Sequence, residues 1–435
     1  MDEEGSIANQ WVDWSSLVRK EDWLVVWMGF ILLTLTAAGL ITNVPSIGTW
    51  SYNISDALKI GDIYLLALLG LGILALTTLG VYMKKENVTG YMVGFPVVFI
   101  MAIIAFIISK QATISYYGLA YVLWALLLGL VISNTTGTPE WLKNAVKTEL
   151  FIKIGLVLLG AEILFSTIVK GGLVSVAQSI GAVLVTWYIC YYLAKRAGLT
   201  QSFASIMASA VSICGVSAAI AAGGAIKGDK KEISFTISMV LLTSIVMLVF
   251  EPLIARMMNL PSAVAGAWIG GTIDTTGAVV AAGALYDETA MTAAAIVKLA
   301  QNVLIGVAAF GLAIYWTLKV EGQPDEKPSL LDIWYRFPKF IVGFLAASLI
   351  FSFILMPTLG EPAVKSILSL TKGFRGWFFC LSFVCIGLET QFSDLMKVGG
   401  TRAATVYIAA QFMNIVLVYI LAWLLFGGIF FPPPI

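Results

Sequence analysis

The sequence predicts an all-α, polytopic membrane protein with about 11 to 13 transmembrane helices, internal inverted repeats and two discontinuous helices. Of its 435 residues, 59% are hydrophobic and only 12% are charged, and the mean hydropathy is +0.93. Soluble domains are only about half apolar. Apolar runs of about 20 residues recur, which is enough for a helix to cross a bilayer core of about 30 Å. They show no alternation typical of barrel strands, so the sequence favours a helical bundle.

The candidate spans follow one another with short polar connections. They are residues 23–42, 62–82, 91–109, 115–133, 151–170, 173–194, 201–226, 233–257, 263–285, 290–316, 336–356, 376–392 and 401–426. Lys and Arg residues in most connections fit a cytoplasmic N-terminus, although the connections around Lys230 and Lys372 disagree. The expected division is a cytoplasmic segment 1–22, additional transmembrane helices 23–90, a first bundle part 91–316, a cytoplasmic linker 317–335 and a last bundle part 336–435.

Composition excludes several functional classes. There is no histidine, and the four cysteines lie in apolar segments without metal-ligand spacing, so we expect no metal site and no cofactor. The net charge of +1 gives no basic surface for nucleic acid. Without a histidine or a Gly-x-Ser-x-Gly motif, a nucleophile and its base are hard to assemble, so we do not expect an enzyme.

Two pairs of segments suggest internal duplication. SICGVSAAIAAGGAI (212–226) resembles TIDTTGAVVAAGALY (272–286), and GAEILFSTIVKGG (160–172) resembles GLETQFSDLMKVGG (387–400). Duplication in a membrane protein is typical of transporters with a substrate site at the repeat interface. Counting the predicted spans makes the second pair antiparallel and the first pair parallel. Both pairs of segments can belong to one inverted duplication only if a segment is re-entrant or the second half is circularly permuted.

Asp274 is the leading candidate for chemistry. It lies among Thr272, Thr275, Thr276 and Gly271 inside an otherwise apolar span. A carboxylate at the membrane centre costs about 2.5 to 3.5 kcal/mol on insertion scales, so it faces a cavity or a partner. A broken helix at this point would expose helix termini that bind ions. Capping of a half-helix is the alternative role, and it is compatible with binding.

Polar and small residues occupy the matching place in the first repeat. They are Ser212, Cys214, Gly215 and Ser217. Close helix packing would explain them by itself. Because the pattern recurs around Asp274, we instead predict that two interrupted helices face each other and form one polar pocket.

Lys298 is the candidate cation of this pocket. Gln301 and Asn302 follow it by three and four residues, so the three side chains share one helical face. We predict that Lys298 pairs with Asp274 until a substrate anion or a proton competes. The alternative is a lysine whose amine reaches the membrane interface.

Glu162 and Glu389 are the repeated carboxylates and, with Asp274, the candidates for binding a coupling ion. Removal from water favours the protonated form of a carboxyl group, so each is a candidate proton carrier. Pairing with a nearby lysine at the headgroups is the structural alternative. Glu251, followed by Pro252, is interpreted as marking a helix end.

The runs SICGVSAAIAAGGAIKGD, GTIDTTGAVVAAGA, AIVKLAQNVLIG and RFPKFIVGFLAAS together resemble the YeiH-type family labelled as sulfate exporters, over roughly residues 90–425. The resemblance implies a bacterial inner-membrane secondary transporter related to sodium–proton antiporters and bile-acid transporters, with inverted repeats and crossed broken helices. The chain departs from the family pattern near 273–275, where a histidine is common.

The expected function is therefore secondary active transport, by an exporter or an ion-coupled carrier, of a small anion such as sulfate or an organic sulfonate or carboxylate. Alternating access would occur around Asp274, Lys298 and the polar residues of both repeats. An ion channel and a transporter of cations, such as a sodium–proton antiporter, are the alternatives. The expected partners are the anion, a proton or sodium ion, the lipid bilayer and a second copy of the chain.

Overall fold

The computed structural model describes residues 20–58, 60–116, 120–163, 165–316, 337–391 and 400–430. The predicted linker 317–335 and most of the predicted N-terminal segment 1–22 lie outside these ranges. The chain forms two compact units, and both are assembled from separated parts of the sequence. Unit 1 comprises Met1–Phe165 and Lys339–Glu389, and unit 2 comprises Ser166–Pro338 and Thr390–Ile435.

Unit 1 is a helical bundle whose central helix is Thr148–Glu162. Its helices in the first part of the chain are α1 (Glu21–Ala37), α2 (Ile60–Met83), α3 (Val88–Ser109), α4 (Ala112–Tyr116), α5 (Tyr121–Thr135), α6 (Glu140–Lys143) and α7 (Thr148–Glu162). Helix α7 is almost entirely buried, because its apolar residues face neighbours on all sides. The predicted span 151–170 therefore ends early, since the chain leaves the helix after Glu162.

A network of charged side chains joins the helix ends of unit 1. Lys84 contacts Glu21 and Glu86 at 2.6 Å each, and Lys147 contacts Glu86 at 2.6 Å. Burial opposes ionisation of Glu86, yet the ammonium groups of Lys147 and Lys84 hold the pKa of this carboxyl below its ordinary value. Glu86 therefore stabilises unit 1 as a carboxylate.

Replacing Glu86 with glutamine is expected to lower stability modestly at neutral pH. A group whose pKa is lowered by folding stabilises above its unfolded pKa and loses that contribution as pH falls through the folded value. The pairs are partly exposed, so we expect a loss of about 1 kcal/mol. Thermal unfolding of wild type and Glu86→Gln should differ at pH 7 and converge in acid, below the lowered pKa of Glu86. Glu140→Gln, which removes an exposed pair with Lys143, is the control and should change little. A difference that persists unchanged in acid would contradict the assignment.

Unit 2 contains one long helix from the first part of the chain and a set of long and short helices after it. They are α8 (Phe165–Arg196), α9 (Gln201–Ser212), α10 (Gly215–Ala225), α11 (Lys230–Met257), α12 (Ser262–Thr272), α13 (Thr276–Tyr286) and α14 (Glu288–Trp316). Unit 1 then receives α15 (Phe340–Leu359), which contains a π-helical turn, and α16 (Glu361–Glu389). Helix α17 (Thr401–Phe426) completes unit 2.

Helices α9 and α10 fold back on each other as a re-entrant hairpin, called hairpin 1. A β-carbon added to Gly228, just after α10, would lie 2.7 Å from the side chain of Ile206 and 3.2 Å from the hydroxyl of Ser202, both in α9. At the open end, Ser202 and Thr200 donate hydrogen bonds of 2.8 and 2.6 Å to Glu232 at the start of α11. The chain thus enters and leaves hairpin 1 at the same end of α11.

Helices α12 and α13 form the second re-entrant hairpin, hairpin 2. Ser262 at its start donates a hydrogen bond of 2.5 Å to Asp287 at its end. Arg256, in the last turn of α11, binds the carbonyl groups of Leu285 and Tyr286 at 2.6 and 3.0 Å. The open end of hairpin 2 therefore lies at the opposite end of α11 from that of hairpin 1.

The predicted spans 201–226 and 263–285 are thus interrupted as expected, at 213–214 and 273–275, but neither pair of halves continues in one direction. Hydropathy cannot separate the two cases, because a hairpin of two short helices and one broken span contain equal numbers of apolar residues. Each hairpin returns to its starting side, so one crossing, α11, separates the two. The hairpins are therefore inverted relative to each other, and the re-entrant alternative resolves the conflict in the span count.

The all-α, polytopic prediction is confirmed. Seven helices in the described part of the chain are long and apolar enough to cross a membrane: Gly61–Met83, Val88–Ser109, Gly171–Arg196, Lys230–Met257, Glu288–Trp316, Phe340–Leu359 and Thr401–Phe426. Other helices, including both arms of each hairpin, are shorter or more polar. The total of 11 to 13 crossings, and the five-part division of the chain, stay predictions.

Candidate functional site

The tips of the two hairpins meet inside unit 2. The backbone N–H of Gly215, at the tip of hairpin 1, donates to the carbonyl oxygen of Asp274, at the tip of hairpin 2, at 3.0 Å. Both residues are buried, and Asp274 is only 2% exposed. The structure therefore brings together the two repeated segments, as the sequence predicts, and it does so through the ends of hairpins.

Lys298 of α14 secures the tip of hairpin 1. Its ammonium group is 1% exposed and donates to the carbonyl oxygen of Ile213 and to Oε1 of Gln301, both at 2.9 Å. The amide nitrogen of Gln301 then donates to the carbonyl oxygens of Ser212, at 3.0 Å, and Gly271, at 3.2 Å. One turn of α14 thus binds the carbonyl ends of the first arm of each hairpin.

The predicted ion pair between Asp274 and Lys298 is wrong for this conformation. In the described part of the chain the Asp274 carboxylate accepts a hydrogen bond from the hydroxyl of Tyr407, in α17, at 2.7 Å, whereas Lys298 binds Ile213 and Gln301. The reason is geometric: the carbonyl oxygens at the end of α9 lie within reach of the ammonium group. Their partial negative charge stabilises it.

A second acidic group lies beside hairpin 2. Thr272 donates its hydroxyl proton to Oε1 of Glu251 at 2.5 Å, and its carbonyl oxygen accepts from the amide of Gln411 at 2.8 Å. Glu251 is 4% exposed and lies within α11. The interpretation of Glu251 as a helix end is therefore wrong, because Pro252 is accommodated inside α11 without ending it.

The remaining predicted site residues are distributed around the tips. Asn302 donates to the hydroxyl of Thr276 at 3.2 Å, and both side chains are buried. Ser212 is buried, but its hydroxyl binds the carbonyl of Ala208 within its own helix, at 2.7 Å. Cys214 is buried at the tip of hairpin 1, Thr275 is half-buried and Ser217 is exposed.

Two helix starts meet at the tips of the hairpins. Helices α10 and α13 both begin at the tips, and in neither does the N-cap side chain, Cys214 or Thr275, cap the helix. Uncapped helix starts present N–H groups and a partial positive charge. The opposite, carbonyl ends of α9 and α12 are already bound by Lys298, Gln301 and Gln411. The tips thus offer donors while most of the nearby acceptors are engaged.

Glu162 and Glu389 lie in unit 1, whereas the hairpin tips lie in unit 2. Glu162 binds Arg375 at 2.8 Å, and the arginine is 3% exposed. Glu389, exposed at the end of α16, accepts a hydrogen bond from Thr148 at 2.9 Å. Their role as carriers of a coupling ion stays a prediction.

Sequence reasoning missed Tyr407 and Gln411 as site residues. Both come from α17, and their spacing of four places them on one helical face toward hairpin 2. Polar residues at this spacing in an apolar span are a detectable signal. Their partners are more than a hundred residues away in the chain, however, so no local pattern connects them to Asp274.

The fold and the site define a multi-pass helical membrane protein with a buried polar centre between two facing re-entrant hairpins. The profile of the family described as conserved hypothetical protein 698 matches residues 93–406. A UPF0324 membrane protein of Rhodopirellula baltica is 40% identical over 389 residues, covering 88% of this chain and 72% of that protein.

Two further relatives are also named as UPF0324 membrane proteins. A UPF0324 membrane protein of Nitrosomonas europaea is 31% identical over 97% of this chain and 98% of its own length. UPF0324 membrane protein TauZ of Paracoccus pantotrophus is 26% identical over 74% of this chain and 93% of its own length. No solved structure matches. The chain belongs to the family of conserved hypothetical protein 698, which confirms the resemblance drawn from the sequence.

Proposed function

We propose that this protein is a secondary active transporter of a small anion, with its binding site at the meeting tips of hairpins 1 and 2. The observation that carries the proposal is the pair of helix starts, of α10 and α13, that no N-cap side chain caps and that lie beside the ammonium group of Lys298. The N–H of Gly215 binds Asp274, so the next N–H groups of α10 are those of Val216 and Ser217. Backbone N–H groups at helix starts bind oxyanions without a specific side chain. Sulfate, an organic sulfonate and a carboxylate are the proposed substrate class.

Burial of the tips supports an alternating-access mechanism. Asp274 and Lys298 are 2% and 1% exposed, so an anion reaches them only after the protein rearranges. The two hairpins open toward opposite ends of α11. Movement of hairpin 1 or hairpin 2 away from the tips would open the site from one side at a time.

The proposed setting is the bacterial cytoplasmic membrane, with the N-terminus in the cytoplasm and a homodimer as the assembly. The relatives are named as membrane proteins, and the proposed substrate class rests on the geometry of the hairpin tips. A proton or sodium gradient would supply the driving force.

A transporter of cations, such as a sodium–proton antiporter, is the second candidate. The buried carboxyl groups of Asp274 and Glu251 favour it, because uncompensated acidic groups in a membrane bind cations or protons. A channel receives less support, since conduction needs a continuous pore and the tips of the hairpins are in direct contact.

The test is uptake of radiolabelled sulfate, and of a panel of small organic anions, into proteoliposomes under imposed proton and sodium gradients. We expect gradient-dependent uptake by wild type. Asp274→Asn should lose it, because asparagine keeps the shape of the side chain but removes the charge that we propose binds the coupling ion. Asp56→Asn, at an exposed position of unit 1, is the matched control and should transport normally. Absence of uptake for every anion, with sodium–proton exchange present, would support the second candidate instead.

A further inference from the structure

The carboxylate of Glu251 is buried and only half engaged. Its Oε1 atom accepts the hydroxyl proton of Thr272, whereas Oε2 has no hydrogen-bond partner among the described residues. No lysine or arginine lies within ion-pair distance of it in the described part of the chain. Because a buried carboxylate without a counter-charge is costly, this geometry requires either a proton or another cation at Glu251.

Gln411, which binds the same Thr272, adds a second unsatisfied oxygen. The amide nitrogen of Gln411 binds the Thr272 carbonyl, at 2.8 Å, and the sulfur of Met247, at 3.1 Å. Its Oε1 atom is buried and has no partner among the described residues. Met247 and Glu251 are four residues apart on one face of α11, so Gln411 and Glu251 both reach Thr272 from adjacent positions.

Thr272 lies at the end of a helix, where carbonyl groups attract cations. It is the last residue of α12, so its carbonyl oxygen lies at the negative end of a helix. Interrupted helices in membrane proteins present such carbonyl ends to cations. The arrangement thus combines two buried oxygens that have no partner among the described residues, Oε2 of Glu251 and Oε1 of Gln411, with the hydroxyl and carbonyl of Thr272. Each of these two Thr272 oxygens makes a hydrogen bond and keeps a further lone pair.

We propose that Glu251, Thr272 and Gln411 form a binding site for a small monovalent cation, with sodium as the ion to test. Oxygen ligands suit hard cations. A single carboxylate balances one positive charge, which favours a monovalent ion over a divalent one. Neither Glu251 nor Gln411 was among the residues that the sequence pattern assigns to coupling.

A cation at this site would also be coupled to anion transport, and this role of the cation rests on the proposed function. Thr272 and Asp274 belong to the same tip of hairpin 2, so a cation bound at Thr272 would fix the tip that faces the anion. Binding of the two ions would then be coupled through hairpin 2. Binding of the cation itself is measurable without any anion.

The experiment is thermal unfolding of the purified full-length chain as sodium chloride replaces choline chloride at constant ionic strength. Sodium is expected to raise the unfolding midpoint of wild type, because a ligand that binds the folded state stabilises it. Glu251→Gln should abolish this rise. Thr272→Val should weaken the apparent sodium affinity about tenfold, as expected when a charge-linked ligand is lost, and Thr272→Ser should restore it.

Glu288→Gln, at an exposed position of α14, is the control and should respond to sodium as wild type does. If the midpoint of wild type is the same in sodium and choline, or if Glu251→Gln retains the full rise, the cation site is refuted. Sodium-dependent stabilisation without any anion uptake would refute the proposed function and leave the cation site standing. Anion uptake without sodium-dependent stabilisation would support the proposed function and refute the cation site.

Discussion

Lys298→Met is expected to reduce anion uptake about a hundredfold, since losing a charged hydrogen-bond donor costs about 3 kcal/mol. Methionine keeps most of the aliphatic volume and removes the ammonium group. The carbonyl of Ile213 and the amide oxygen of Gln301 would both lose their donor. The measurement is initial uptake into proteoliposomes, with the amount of folded protein determined by size-exclusion chromatography.

Lys365→Met is the matched control for this experiment. Lys365 forms an exposed pair with Glu361 at the surface of unit 1, and its side chain is 72% exposed. We expect wild-type uptake. If Lys298→Met were to transport at the wild-type rate, its ammonium group would serve only to hold hairpin 1, and the anion site would lie elsewhere.

Gly270→Val is expected to destabilise unit 2 strongly. A β-carbon on Gly270 would lie 2.6 Å from the carbonyl oxygen and 2.9 Å from the Cα of Ala294, both backbone atoms of α14. Backbone atoms cannot move aside unless the helix shifts. We therefore expect the free energy of unfolding to fall by about 1 to 3 kcal/mol or more, as is typical of overpacking. The measurements are the thermal midpoint and the yield of monodisperse protein.

Gly224→Val tests whether the effect comes from the close approach of α12 and α14. Gly224 lies in hairpin 1, is exposed and has no atom near the position of an added β-carbon. We expect a change within about 0.5 kcal/mol, as for most surface substitutions. Equal losses in both variants would show that valine acts through the backbone of the hairpin arms and not through packing between helices.

The polar centre could be predicted in part from the sequence. Lys298, Gln301 and Asn302 share a helical face, and all three are buried next to the repeated segments. A polar stripe in an apolar helix is a local pattern, so it is visible without a fold. The partner of Lys298 was not predictable, because the choice between the carboxylate of Asp274 and the carbonyl of Ile213 depends on distances between separate hairpins.

Glu251 shows the same limit. A glutamate before a proline is typical of a helix end, and nothing nearby in the sequence reveals that Thr272 will bind it. Thr272, in α12, reaches this carboxylate only through tertiary packing.

By itself, the sequence determined that this protein is helical, that it lies in a membrane and that two repeated segments interrupt its helices near 213 and 274. Each of these properties follows from composition and local pattern, since the bilayer sets the length and apolarity of a span. Tertiary structure alone decided that the interrupted segments are hairpins. Their direction depends on contacts such as Ser262 with Asp287 and Ser202 with Glu232, and these contacts join residues that lie 25 and 30 positions apart in the chain.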